Sequence, residues 1–206
     1  MKAFLAALTI TSSASANLVN GGFEDFPVWG YGFYPGSSPT VNWATTAPDN
    51  TLEIWENGFL GTPAYEGNYF AELNANYAST LYQDVNGLGD FNQINWHFAH
   101  RGRYGIDTMR LTITDLGADQ VFGNGDDYVL FQQEFSADNT DWQVHYGSIT
   151  SIGNLTRFAF EAVDAVGGTT QGNLIDFCGF GTSVVPAPGC FALLSFSVFL
   201  SKRRRI

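Results

Sequence analysis

The sequence predicts an all-β domain, either a β-sandwich or a β-barrel. Ten short segments of alternating or β-rich character recur through residues 17–183, separated by Gly, Asn, Asp and Pro. Strands at this spacing are typical of sandwiches and barrels. No stretch carries apolar residues at sustained helical spacing between caps, so we expect few helices. A hydrophobic content of 45% is sufficient for the core of one domain of this length.

The predicted strands are residues 41–46, 52–56, 69–74, 79–85, 94–101, 108–114, 128–135, 142–149, 156–163 and 173–180. Each is short and rich in β-branched or aromatic residues, as strands are. Residues 30–39 are aromatic and rich in Gly and Pro, which favours a long loop. Residues 117–127, with the sequence GADQVFGNGDD, predict a second loop.

The charges divide the chain into three parts. The 20 acidic residues all lie in the middle part, where the only basic residues are Arg101, Arg103, Arg110 and Arg157. The middle part therefore carries a net charge of −16, although the whole chain carries −11. Such an acidic domain is unsuited to binding nucleic acid, which requires a basic surface. The remaining basic residues lie at the two ends.

Residues 1–16 have the layout of a secretory signal peptide. Lys2 provides the positive start, residues 3–10 form a short apolar region, and residues 14–16 form a small-x-small cleavage site. The apolar region is too short to span a bilayer. We expect cleavage before Asn17 and export of the protein.

Residues 184–206 resemble the C-terminal sorting signal of PEP-CTERM proteins of Gram-negative bacteria. The motif is Pro186, Ala187 and Pro188, followed by an apolar run and a basic end that includes Arg203, Arg204 and Arg205. Ala187 stands where the family has Glu. The resemblance implies a short hydrophobic helix, transient inner-membrane anchoring and processing by an exosortase-like enzyme. It also implies a final location at the cell surface or in the extracellular matrix. A generic tail anchor remains an alternative.

The middle part resembles the galactose-binding-like jelly rolls that include many carbohydrate-binding modules. Residues 20–24, NGGFE, look like the opening strand of that fold, and residues 174–178, LIDFC, look like its last strand. The second Asp of the family's I-D-D-V pattern is replaced by Phe177. Residues 53–55, 67–74, 81–84 and 100–103 also resemble a PEP-CTERM-associated domain. The resemblance implies an antiparallel jelly-roll sandwich over residues 17–183.

The jelly-roll resemblance also implies a structural Ca²⁺ held by Glu24 and Asp176, on first and last strands that lie side by side. A disulfide inside the domain is not available, because Cys178 is its only cysteine. Solvated strand-end charges are the alternative for Glu24 and Asp176. A second group of side chains could also surround a cation, although the favoured interpretation of this group is a flexible acidic hairpin loop. Its members are Asp115, Asp119, Asn124, Asp126 and Asp127.

Arg101 and Arg103 are the first candidates for ligand binding. If Ile94, Trp96 and Phe98 face the core, strand alternation places Arg101 and Arg103 on the opposite face. The planar guanidinium suits carboxylates and sugar hydroxyls. Glu72 and Asp107 are plausible counter-charges, and a structural salt-bridge network is the alternative. His97, His100 and His145 lack metal-ligand spacing, and His100 falls on the core side, as a buried histidine.

Aromatic side chains add a second reason to expect glycan binding, because sugar rings stack on exposed aromatic faces. Core packing explains most aromatics in a β-sandwich, but Trp29, Tyr31 and Trp55 are the first candidates for stacking. The residues expected to bind glycan are therefore Trp29, Tyr31, Trp55, Glu72, Asn74, Arg101 and Arg103.

No nucleophile elbow, zinc-protease motif or phosphate-binding loop occurs in the chain. We therefore expect a non-catalytic exported protein that binds extracellular polysaccharide through its jelly-roll domain. One alternative is a structural adhesion or biofilm-matrix protein without a specific ligand. A carboxylate-based polysaccharide hydrolase is a lesser alternative, since such enzymes need only two suitably spaced carboxylates.

Overall fold

The computed structural model describes residues 18–37 and 42–181. The predicted signal peptide, residues 1–16, and the predicted sorting tail, residues 184–206, lie outside the described residues. Within the described ranges, no helix is long and apolar enough to cross a lipid bilayer.

The described chain folds into two antiparallel sheets. One has six strands in the order β1-β3-β4-β11-β6-β9, and the other has five in the order β2-β5-β10-β7-β8. The strands are β1 Tyr31–Pro35, β2 Ala44–Thr45, β3 Thr51–Glu56, β4 Tyr69–Glu72, β5 Thr80–Val85, β6 Asp90–Arg101, β7 Asp107–Asp115, β8 Tyr128–Ala137, β9 Gln143–Ile152, β10 Thr156–Asp164 and β11 Leu174–Gly181. The only helical segment among the described residues is a 3₁₀ turn, Phe59–Gly61.

The core lies between the two sheets and follows from strand alternation. On β7, Met109, Leu111 and Ile113 are fully buried, while the residues between them are half-buried on the other face. The six-stranded sheet contributes Phe98, whose ring lies 5.2 Å from that of Phe160 on β10. Burial of large side chains from both sheets supplies the main driving force for folding. The predicted antiparallel β-sandwich is confirmed.

All ten predicted strands form, with ends shifted by a few residues. The predicted loop at residues 30–39 is wrong for residues 31–35, because these form edge strand β1 against β3. Along β1, Tyr31 and Phe33 alternate with Gly32 and Tyr34, as residues of a strand do. An edge strand also tolerates Gly and Pro better than a central strand does. Residues 117–127 form the connection between paired strands β7 and β8, so the predicted hairpin loop is confirmed.

The segment expected to open the jelly roll, residues 20–24, is not a strand. It touches the last strand through a single backbone bond, in which the Cys178 amide donates to the Gly21 carbonyl at 2.9 Å. The expected opening strand does not form, so the last strand has no strand partner in this segment, although Gly21 and Cys178 lie side by side. Strand β11 lies between β4 and β6 instead.

Candidate functional site

A cleft of about 340 Å³ opens on the outer face of the six-stranded sheet. Glu53 and Trp55 form its floor, because they alternate on β3 with the core residues Leu52 and Ile54. The walls are mainly aromatic on the β1 side and polar on the side of residues 75–76 and 170–171. The wall residues include Tyr31, Phe33, Phe59, Leu60, Asn76, Arg103, Thr170 and Gln171.

The aromatic wall is held by ring contacts. The Tyr31 and Phe59 rings stack at 5.2 Å, and Phe59 meets the edge of Trp55 at 4.9 Å. Tyr31 is 50% exposed and Phe33 is 47% exposed, so both rings offer surface to a ligand. Trp55 itself is almost fully buried beneath them.

Arg103 is fixed at the polar side of the cleft. Its Nη1 donates to Glu72 Oε1 at 2.9 Å and to Glu72 Oε2 at 3.0 Å. Its guanidinium carbon lies 4.6 Å from the Trp55 ring centre and 4.9 Å from that of Tyr104. A cation held by a carboxylate and two rings loses little side-chain entropy when a ligand binds.

Two carboxylates are paired beneath the cleft. Glu53 and Glu72 are register partners on β3 and β4, and both are buried. Burial raises the pKa of Glu72 to about 8, with the neighbouring Glu53 adding to the rise and Arg103 opposing it. Burial also raises the pKa of Glu53, whose Oε1 accepts a hydrogen bond from Trp55 Nε1 at 2.9 Å.

Glu72 and Asp107 also position the backbone around the cleft. Glu72 Oε1 accepts the Gly172 amide at 2.6 Å, next to cleft residues 170–171. Asp107 is fully buried and accepts the amides of Arg103, Val166 and Asn173 at 2.8, 2.8 and 3.0 Å. The expected counter-charges therefore both lie near Arg103, but only Glu72 binds its guanidinium.

The structure brings three of the predicted glycan-binding residues to the cleft: Tyr31, Trp55 and Arg103. Glu72 lies behind Arg103, and its side chain is fully buried. Asn74 is also buried, where its Oδ1 accepts a bond from Asn173 Nδ2 at 3.0 Å. Trp29 is 94% exposed and does not line the cleft.

Arg101 lies apart from the cleft. Its Nη2 donates to the Asn139 carbonyl at 2.7 Å. As predicted, His100 is fully buried, with Nε2 3.0 Å from Asn173 Oδ1. Burial lowers the pKa of His100 to about 3, so the ring is neutral at physiological pH.

Sequence reasoning missed the parts of the cleft that come from distant loops. Asn76, Thr170 and Gln171 have no local pattern that marks them. Glu53 could have been found from its alternation with Trp55, which places both on one face of β3.

Glu24 and Asp176, the residues expected to hold Ca²⁺, both accept hydrogen bonds from backbone amides of residues 65–69. Glu24 Oε1 accepts the amides of Asn68 and Tyr69 at 2.8 and 3.0 Å. Asp176 Oδ2 accepts the amides of Tyr65 and Glu66 at 2.9 and 3.1 Å. Burial raises the pKa of Asp176 to about 7. These oxygens are of the type that Ca²⁺ prefers, but their lone pairs already serve backbone amides. Within residues 18–37 and 42–181, no group of three His, Cys, Asp or Glu side chains is arranged around a metal position.

Most of the second acidic group is bonded within its own loop, whereas Asp115, at the end of β7, is fully buried and accepts a hydrogen bond from Asn154 Nδ2 at 2.8 Å. Asp126 Oδ2 accepts the Ala118 amide at 2.9 Å, and Asp119 accepts the Val121 amide at 2.9 Å and Asn124 Nδ2 at 2.7 Å. The bonds from backbone amides are of the kind that Asp side chains accept in turns, and the bond between Asn124 and Asp119 joins two side chains. They account for Asp119, Asn124 and Asp126 as parts of a hairpin loop.

Comparison with solved structures shows where this fold occurs. The chain is similar to the CBM22-1 xylan-binding domain of Paenibacillus barcinonensis Xyn10C, with a TM-score of 0.53 and 11% identity over 85% of this chain and 100% of that one. It is also similar to the C-terminal family 22 carbohydrate-binding module of Clostridium thermocellum Xyn10B, with a TM-score of 0.49 and 15% identity over 70% and 87%. No protein-family model matches the sequence. No curated protein matches it either.

The first of these similarities defines the class of fold. The described chain is a β-sandwich of the type found in carbohydrate-binding modules. At 11% identity the similarity concerns the fold alone. What this chain binds has to be argued from its own cleft.

Proposed function

We propose that this protein binds a neutral glycan in the cleft on its six-stranded sheet, without catalysis. The observation that carries the proposal is the composition of the cleft: exposed Tyr31 and Phe33 on one side, and Arg103, Asn76 and Gln171 on the other. Aromatic faces stack on sugar rings, while fixed polar groups bind the hydroxyls. The jelly-roll fold shared with carbohydrate-binding modules agrees with this use.

The charge of the cleft favours a neutral ligand. Arg103 is already paired with Glu72, and Glu53 adds a second carboxylate at the floor. An acidic polysaccharide would therefore meet a guanidinium whose Nη1 is already bonded to Glu72 and a second carboxyl group at the floor. Arg103 retains Nη2, which donates no bond to another described residue and is suited to a hydroxyl oxygen.

The burial of the carboxylate pair supports a non-catalytic role. A glycosidase needs one carboxyl group against the glycosidic oxygen and a second against the sugar ring or a water. The Glu72 side chain is fully buried and bound by Arg103, so it does not reach a ligand in the cleft. The paired glutamates therefore serve to hold the residues around the cleft in position.

Electrophoresis through gels that contain neutral polysaccharides tests the proposal. The full-length chain should be retarded by at least one of xylan, galactan and dextran, and Tyr31→Ala should weaken the retardation about tenfold. Phe91→Ala is the matched control, because Phe91 is 79% exposed and lies outside the cleft. Equal mobility of wild type and Tyr31→Ala in every gel would contradict glycan binding in the cleft. A lack of retardation of the wild type in every gel would favour the alternative of a matrix protein without a specific ligand.

We also propose that the protein is exported and processed at both ends. The support is the sequence of residues 1–16 and 184–206, with the Pro186-Ala187-Pro188 motif before the apolar run. Mass spectrometry of the protein recovered from cells tests this. Mature chains should begin at Asn17 and end near Pro188. Recovery of the intact chain from the cytoplasm would contradict both processing steps.

A further inference from the structure

A second cavity, of about 300 Å³, lies on the outer face of the five-stranded sheet, on the side of the sandwich opposite the cleft. Its floor is Ala159 on β10. The register partners of Ala159 are Tyr82 on β5 and Thr112 on β7. A small residue between larger side chains leaves a depression in the face of the sheet.

One wall of this cavity is rigid. The Arg157 guanidinium lies between two rings, 3.8 Å from the centre of Tyr82 and 4.3 Å from that of Phe122. Its Nε and Nη2 donate to the two carboxylate oxygens of Asp84 at 2.7 and 2.8 Å. Phe122 belongs to the loop between β7 and β8, so this stack holds the loop over the sheet. Such a bidentate, stacked arginine is preorganised.

The floor and the other walls present polar groups that the protein leaves available. The hydroxyls of Thr80 and Thr114 form no hydrogen bond with another described residue. The Thr112 hydroxyl accepts Gln132 Nε2 at 3.3 Å, so its own O–H is free to donate. Glu161 uses Oε2 to accept Arg110 Nη1 at 2.7 Å and keeps Oε1.

The charges around the cavity indicate a neutral ligand. Arg157 is paired with Asp84, and Asp127 and Glu161 also line the space. Three hydroxyls beside the apolar surfaces of Phe122, Val129 and Ala159 form the mixture that a hydroxylated ring requires, since its edges bind polar groups and its faces bind apolar ones.

We propose that this cavity is a second glycan-binding site, which takes one or two sugar rings of a neutral glycan. The inference uses the same ligand class as the proposed function but none of the same residues. Because the two sites lie on opposite faces of one sandwich, a single chain would join two polysaccharide strands. Such bridging raises the avidity for a matrix without any new contact.

Amide chemical shifts of the full-length chain, titrated with xylohexaose, β-1,4-galactotriose and panose, separate the two sites. Binding in the second cavity should shift the amides of Thr112, Thr114, Gln132 and Ala159. Ala159→Leu fills the depression and should weaken these changes at least tenfold, and Thr112→Val removes one hydroxyl at nearly constant volume. Tyr31→Ala, in the cleft, is the matched control and should leave them unchanged.

Shifts at the five-stranded sheet that persist in Tyr31→Ala and disappear in Ala159→Leu support the second site, even if the cleft shows none. Shifts confined to the cleft, with a folded protein, overturn the second site and leave the proposed function standing. An absence of shifts at both faces with every probe overturns both. If Ala159→Leu does not fold, Thr112→Val provides the test. A loss of affinity for the sugar in Thr112→Val supports the second site, and an unchanged affinity overturns it.

Discussion

Arg103 Nη1 lies 2.9 Å from Glu72 Oε1, and the same guanidinium covers the ring of Trp55 at 4.6 Å. This contact joins the segment after β6 to β4 across the outer face of the six-stranded sheet. It holds the polar wall of the cleft against the aromatic floor. The fold and the candidate site therefore depend on the same ion pair.

Replacement of Arg103 by Ala should destabilise the protein by about 1–3 kcal/mol, because the buried Glu72 carboxyl group would lose both hydrogen bonds that Arg103 Nη1 donates to it. Urea unfolding measures the change. Arg101→Ala is the matched control, since Arg101 makes one exposed bond to a backbone carbonyl, and we expect a loss of about 1 kcal/mol or less. Equal losses in the two variants would show that the Glu72–Arg103 pair does not stabilise the fold.

The paired glutamates should make stability depend on pH. The pKa of Glu72 is raised from 4.5 to about 8 in the folded protein, so the folded state holds its proton more tightly than the unfolded state does. The stabilisation from this group is complete below pH 4.5 and is lost as the pH rises through about 8. Glu72→Gln should therefore gain stability relative to wild type between pH 5 and pH 8.

Melting temperatures at pH 5 and pH 8 measure this change. Glu134→Gln, which alters a carboxylate that is half exposed, serves as the control for a general change in net charge. A constant difference between Glu72→Gln and wild type across the range would show that Glu72 is ionised throughout.

Calcium should raise the melting temperature of the wild-type chain if Glu24 and Asp176 hold a structural cation. A ligand that binds only the folded state stabilises it in proportion to the logarithm of its concentration. The rise should disappear in Asp176→Asn and Glu24→Gln, since both carboxylates are expected ligands. It should persist in Asp126→Asn, where the carboxylate belongs to the hairpin loop.

A rise in melting temperature that disappears only in Asp126→Asn would show that the cation binds in the hairpin loop and not at Glu24 and Asp176. No rise at millimolar Ca²⁺, with EDTA as the reference, would contradict the expected Ca²⁺ site at both places. The amide bonds to Glu24 and Asp176 would then be the sole role of these two carboxylates.

Gly147 on β9 should not tolerate a side chain. A Cβ at this position would overlap the indole of Trp96, its register partner on β6. The indole is buried in the core and has no free space to move into. We expect Gly147→Ala to lower the free energy of unfolding by about 1–3 kcal/mol.

Chemical denaturation of Gly147→Ala, compared with Gly125→Ala, checks this. Gly125 has open space around its Cβ position, so its substitution should change stability by less than about 0.5 kcal/mol. Similar stabilities for the two variants would mean that Trp96 does not require the glycine.

Strand alternation explains why the sequence predicts so much of the fold. Met109, Leu111 and Ile113 on β7, like Ile94, Trp96 and Phe98 on β6, alternate with polar residues at the period of two that a half-buried strand requires. The same rule correctly places His100 in the core. It failed at β1, where Gly32 and Pro35 indicate a loop although β3 supplies a partner for the edge strand.

The sequence by itself determined the β-sandwich, most of its strands and the aromatic and arginine residues that could bind a ligand, because those properties reside in local periodicity and residue chemistry. Only the tertiary structure decided which of them share a site. Glu53 and Glu72 become neighbours through the register of β3 and β4, and Arg103 meets Glu72 although Arg101 does not. Such relationships depend on strand order and on loops far apart in sequence, and local sequence patterns carry no information about either.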